Sequence, residues 1–114
     1  MLGLSANLNY YLFNGNVDLR KGIFRLCESI REEMSLDPSN ASNVYMFMSR
    51  NRKVVKILHY ERGFYVLYEK RPAMGRFKKP VFDEVSKCYR IQWSDMAYLT
   101  ESIVVDKMYV SPKD

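Results

Sequence analysis

Ten of the chain's eighteen Lys and Arg side chains fall between residues 50 and 79: Arg50, Arg52, Lys53, Lys56, Arg62, Lys70, Arg71, Arg76, Lys78 and Lys79. Only Glu61 and Glu69 oppose them, so this stretch carries +8 while the rest of the chain sums to −3. A protein that needs charge only for solubility mixes its signs along the sequence. A concentration of one sign suits a polyanion instead, because each phosphate neutralised releases a condensed counterion. Two blander uses of the same residues stand beside that one. A solvated basic edge resists sheet-to-sheet association or meets an acidic protein, and a basic face can rest on an anionic membrane surface.

Three local constellations sharpen the chemistry. Asp18 reads as a helix N-cap, which puts Arg20, Lys21 and Gly22 in the first helical turn. There the macrodipole disfavours each cation by about 0.3–1 kcal/mol, and glycine costs about 1 kcal/mol relative to alanine. Free amides at that turn, with Arg20 and Lys21, can hold a phosphate. The plainer alternative has Gly22 permitting close approach to a sheet while the cations pair with nearby acids. Arg50, Arg52 and Lys53 occupy a short connection with Lys56 on the adjoining strand, a basic hairpin that can lie along a nucleic-acid groove or simply solvate a tip. Lys70-Arg71 and Arg76-Phe77-Lys78-Lys79 surround one aromatic with cations. Phe77 either stacks on an unpaired base or pins its own loop to the domain.

Other reactive side chains are sparse. His59 is expected on a strand, has no neighbouring pattern of a nucleophile system, and reads as a strand residue. Cys27 falls near an apolar helical stripe and reads as a buried thiol. One histidine with two distant cysteines makes no standard zinc site. Nothing suggests secretion, so Cys27 and Cys88 are expected as free thiols in a reducing cytoplasm. Asp83-Glu84, Asp95 and Asp106 lack two-metal spacing, and no glycine-rich phosphate loop occurs. Catalytic residues, metal and cofactor are not expected.

The elements that must position these cations follow from length and periodicity. At 114 residues, 47% hydrophobic and 27% charged, the chain has room for one domain, residues 1–114, with a core of its own. No apolar stretch approaches the ~20 residues of a membrane span, and the N-terminus lacks the basic start of a signal peptide. Leu8 to Phe13 reads as a first strand, stopped by Asn14-Gly15-Asn16. Leu19, Ile23, Leu26, Ile30 and Met34 form one apolar stripe, which predicts a helix over residues 18–34. Asp37-Pro38 ends it.

Val44 to Ser49, Val54 to Tyr60 and Phe64 to Glu69 then alternate as three strands with apolar groups on both faces, so the sheet is expected to be covered on each side. Their connections are short enough for hairpins, with Gly63 suited to a left-handed turn position. Met74 to Pro80 is expected as an exposed loop, Tyr89 to Trp93 as a short strand, Ser94 as the cap of a short helix, and Ile103 to Val105 as a last apolar segment. The expected class is α+β: an antiparallel meander of four to five strands, one main helix packed on it, and a short C-terminal helix.

Taken in order, several segments resemble a known family. Asp18-Leu-Arg-Lys-Gly-Ile23, Asp37-Pro38, Val44-Tyr-Met-Phe47, Asn51-Arg52 and Lys56-Ile-Leu58 are followed by Gly63-Phe64, Leu67-Tyr68, Lys70-Arg71, and Gly75-Arg-Phe77 with Pro80. The series resembles TnpB-type accessory proteins of the sixty-six family of bacterial insertion sequences, products of the second open reading frame. It covers roughly residues 8–80. Departures from the family pattern are Tyr60-Glu61 in place of Trp-Asp, Pro72-Ala73 in place of Leu-Glu, and Lys79 in place of an aromatic before the proline. The resemblance implies a small protein encoded beside a DDE-type transposase and serving movement of the element. Two kinds of partner follow: element-end DNA gripped by Arg20, Lys21 and the ten cations of residues 50–79, or an acidic surface of the transposase without nucleic acid. A contact with six phosphates would give a log–log salt slope of about −5.

Overall fold

In residues 9–13 the side chains alternate between two hydrophobic clusters, Tyr10 and Leu12 entering one while Tyr11 and Phe13 join the other. That period of two makes Asn9–Phe13 a strand, β1, packed on both faces. The computed structural model describes residues 4–15, 17–82 and 86–104. It continues with α1 (Ile23–Glu32), β2 (Asn43–Met48), β3 (Val55–Glu61), β4 (Phe64–Lys70), β5 (Arg76–Phe77), β6 (Cys88–Ile91), α2 (Trp93–Glu101) and β7 (Ile103–Val104). The class is α+β, as the periodicities indicate.

Five strands form one sheet in the order β4-β3-β2-β1-β6, while β5 and β7 make a separate two-stranded ribbon. Only β2, β3 and β4 form a true meander. β1 runs parallel to β2, from Asn9 opposite Asn43 to Phe13 opposite Phe47, where an antiparallel neighbour is expected from the sequence. The cause is the connection. Residues 14–42 carry α1 across one face of the sheet and return the chain to the end at which β1 began, so the next strand must run parallel. β6 closes the other side of β1 in antiparallel register.

The helix starts later than the apolar stripe predicts. The Asp18 carboxylate accepts the Arg20 amide (3.0 Å) and binds the Arg20 guanidinium through both oxygens (3.0 and 3.1 Å). The Lys21 amide donates to the Asp18 carbonyl (3.1 Å). Residues 18–21 therefore form a turn, and Asp18 caps that turn rather than α1. Gly22 is the N-cap instead, with extended backbone (φ −82°, ψ −172°). The two cations and the glycine stay outside the helix, and the dipole and glycine costs expected of them do not arise. Leu19 is buried all the same, and Leu26, Cys27 and Ile30 seat α1 against Tyr45, Phe47 and Leu58 of the sheet. Each such aliphatic side chain contributes about 1.5–3 kcal/mol on burial.

The opposite face is covered by α2 and by the segment after β4. Met96 of α2 and Phe77 of β5 pack on Leu12, Met46, Val55 and Ile57. Met74 to Pro80 is thus not a free loop: Phe77 is 1% exposed, and β5 pairs with β7 through Arg76 opposite Val104 and Phe77 opposite Ile103. Gly75 permits this approach. Its φ is +76°, and a Cβ there would fall 2.4 Å from the Val104 carbonyl oxygen. α2 begins at Trp93 after an N-cap at Gln92 rather than Ser94, and Val105 lies outside the described residues.

Candidate nucleic-acid interface

The carboxyl ends of β1 and β2 lie side by side, because Phe13 pairs with Phe47 in parallel register. The chain leaves β1 toward the Asp18–Lys21 turn and leaves β2 into the β2–β3 turn, and the space between these exits is a groove of about 850 Å³. Crevices at the carboxyl ends of parallel strands arise where the connecting segments diverge. Leu12, Phe13, Val17, Met48, Pro80 and Phe82 supply its apolar lining, and Arg20, Arg50, Arg52, Arg76 and Lys79 its charge. Among the described residues that line it, one carboxylate faces these five cations, that of Asp18. Hydrogen bonds from Arg20 hold the Asp18 carboxyl down at about 2, so it stays ionised and tied to that guanidinium.

The β2–β3 turn is built by Ser49 and Asn51. The Ser49 hydroxyl oxygen accepts the amides of Lys53 (3.1 Å) and Val54 (3.0 Å), and the Asn51 side-chain oxygen also accepts the Lys53 amide (3.1 Å). This wrapping holds Arg52 at φ +60°, a left-handed conformation that an L residue adopts at a cost. Arg52 in turn fixes the ribbon. Its carbonyl accepts the Phe77 amide (2.8 Å), and its guanidinium donates to the Phe77 carbonyl (3.2 Å). With the Phe77 ring in the core, Arg76 and the following Lys79 are delivered to the groove that Arg50 and Arg52 approach from the turn.

The other predicted cations divide. The register of Lys70 opposite Val55 puts Lys70 and Arg71 at the same end of the sheet as the groove, at edge strand β4; Arg71 pairs there with Glu69 (2.9 Å). Lys53 is exposed on the β2–β3 turn. Lys21 lines a smaller depression with Arg25, Glu28, Glu32 and Glu33, where charges are mixed. Lys78 turns to α2, donating to the Tyr98 hydroxyl (2.7 Å) and holding that phenol below its usual range. Lys56 is 8% exposed. Its ammonium donates to the Leu19 carbonyl and lies 3.6 Å from Glu69, so it ties β3 to the Asp18–Lys21 turn and does not reach the surface. Arg62 sits in the β3–β4 turn at the far end of the sheet, about 20 Å away for a strand of this length.

The family assignment comes from a family model, that of the IS66 Orf2-like proteins, which matches residues 8–109. The chain belongs to that family. The match spans every described element, including α2 and β7, which lie beyond the motifs of residues 8–80. No curated protein and no solved structure matches the chain. Membership is consistent with an accessory role in transposition. Within this family frame, Lys79, which stands where members commonly carry an aromatic, is one of the groove cations.

Two contributors lie outside the basic cluster. The Asn14 amide donates to the Lys87 carbonyl (2.7 Å), bringing exposed Lys87 to the groove end of the sheet. Phe82 lines the groove and stacks on Tyr89, ring centroids 3.9 Å apart and planes at 10°. The one sequence signal for Phe82 is an aromatic two residues beyond a basic Pro-terminated run. His59 is buried with a ring nitrogen 3.1 Å from the Asn43 carbonyl, a strand residue with a backbone partner. Burial pushes the Cys27 and Cys88 thiols up, away from the thiolate form that reacts. Among the described residues no group of three or more His, Cys, Asp or Glu is placed to hold a metal, and no helix is long and apolar enough to cross a membrane.

Proposed function

We propose that the groove holds the phosphate backbone of DNA, and that the protein assists transposition by gripping element DNA, at its ends, alongside the transposase. The observation that carries this reading is convergence. Arg20, Arg50, Arg52, Arg76 and Lys79, spread over sixty residues, line one concave surface whose lone described carboxylate is already paired. Phosphate binding needs this arrangement: several donors aimed at one path, with little competing negative charge. Lys53, Lys70, Arg71 and Lys87 extend positive charge around the same end of the sheet.

Fluorescence anisotropy of a labelled element-end duplex, titrated between 50 and 200 mM salt, tests the reading. The four groove cations besides Arg20, whose charge Asp18 already offsets, give a log–log slope of about −3.6. Arg50→Glu and Lys79→Glu weaken binding and flatten the slope, whereas Arg62→Glu leaves the slope as it was. Absence of binding at the lowest salt, or a flat slope, rejects the proposal. A complex with the transposase that survives nuclease, in a protein that binds no DNA, establishes the protein-docking alternative.

A further inference from the structure

We infer that the groove receives unpaired nucleotides at a DNA end, not the uninterrupted surface of a duplex. The inference rests on the reading above and names the form of DNA that the site takes. The first argument is shape. The groove is concave, and its volume of about 850 Å³ falls in the range of about 300–1,000 Å³ that encloses a ligand of a few rings. A duplex is convex; its phosphates reach the rim cations but leave the floor empty.

The second argument is chemistry. The lining includes Met48, Pro80 and Phe82, groups with nothing to offer a phosphate and much to offer the face of a base. Single-strand sites combine these two features, a cationic track for the backbone and an apolar or aromatic platform for the bases.

The third argument is rigidity. Phe82 is held face to face with Tyr89 at 3.9 Å. Tyr89 is itself anchored, since its hydroxyl accepts the Ser86 amide (2.7 Å). Phe82 also packs against the core cluster of Leu12 and Met46, so a base that meets its groove-lining part finds a side chain with little freedom left to lose on binding. The cations are graded to match: Arg20, Arg50 and Lys79 are exposed, while Arg52 and Arg76 are half-buried nearer the ribbon. The rim meets the backbone, and the inner pair meets the nucleotides that enter.

The test uses the full chain and three labelled probes at 0.1 M salt: a blunt duplex, the same duplex with a three-nucleotide overhang, and a short oligothymidine strand. The overhang and the single strand bind at least tenfold more tightly than the blunt duplex. Phe82→Ala brings the overhang to within about twofold of the blunt probe. Phe82→Leu, which keeps apolar volume but removes the stacking plane, does the same with an unchanged circular dichroism spectrum. If the blunt duplex binds as well as the overhang with the expected salt slope, the inference falls and the DNA-binding reading stands. If none of the probes binds, both fall.

Discussion

Arg52 and Phe77, twenty-five positions apart, hold each other by two hydrogen bonds running in opposite senses: the Phe77 amide to the Arg52 carbonyl at 2.8 Å, and the Arg52 guanidinium to the Phe77 carbonyl at 3.2 Å. This pair joins the β2–β3 turn to the β5–β7 ribbon, and with it two walls of the groove. Arg52→Ala removes the guanidinium bond and is expected to cost about 1–2 kcal/mol in urea denaturation. The left-handed backbone is equally unfavourable to alanine and arginine, so that cost cancels in the comparison. Arg52→Gly loses the same bond but relieves the backbone, and is expected to recover about 1 kcal/mol relative to Arg52→Ala. Equal stability of the two variants would remove the left-handed strain from the account.

Lys56 is a structural cation. Lys56→Ala deletes a buried stem and leaves the Leu19 carbonyl without its donor, an expected loss of about 2–3 kcal/mol. Lys56→Met keeps the stem and is expected to cost about 1 kcal/mol. Because the ammonium faces the Leu19 carbonyl and Glu69, Lys56→Met should bind DNA within about twofold of the parent. A large loss of affinity, with the thermal midpoint little changed, would return Lys56 to the interface.

Gly22 caps α1 without a side chain to do it, and a Cβ placed there meets nothing within 4 Å. Gly22→Ser supplies an oxygen for the free amides of the first turn and stiffens the unfolded chain. The gain is expected at about 0.5–1 kcal/mol, read as a rise in the thermal midpoint. If Gly22 instead served close packing against the sheet, the same substitution would lower that midpoint.

The Asp18 carboxyl titrates at about 2 against an ordinary 3.8, chiefly through the hydrogen bonds from the Arg20 side chain and amide. A folded-state value below the unfolded one means that the turn favours the ionised form. Its contribution is fully present above about pH 4 and is lost as pH falls through about 2. Carbon-detected NMR of the Asp18 carboxyl should give a midpoint of about 2 in the native protein, moving toward 3.8 in Arg20→Ala. A native midpoint close to 3.8 would mean that the turn is open in solution.

Much of this architecture is visible in residue order alone. The strands β2, β3 and β4 fall within a residue of the alternating runs, and the stripe from Leu19 to Met34 marks the face that α1 and its preceding turn bury. The parallel placement of β1 is not visible, because periodicity reports which face a residue takes and carries nothing about which neighbour a strand chooses. Asp18 misleads for a local reason: an aspartate before an apolar run can cap a helix or a turn, and Arg20, with both an amide and a guanidinium in reach, selects the turn. The basic cluster is a property of sequence that folding divides. Hairpin connections send Arg52 and Arg62 to opposite ends of one sheet, burial removes Lys56, and α2 engages Lys78. Phe77 follows the same logic, since its own backbone partner and the sheet face beneath it decide that its ring goes inward.

β1 precedes the other strands of its sheet in the chain and sits between β2 and β6. A ribosome releases β2, β3 and β4 soon afterwards, but residues 88–91, which pair with Tyr10 to Phe13, follow only about seventy-five residues after β1. Throughout that interval the nascent chain carries one unsatisfied ladder side on an aromatic strand, the kind of surface that chaperones engage and that aggregation exploits. A protein with this strand order is vulnerable to premature termination: a product cut short before Cys88 leaves β1 as an open edge and the face of Leu12 and Met46 without Met96.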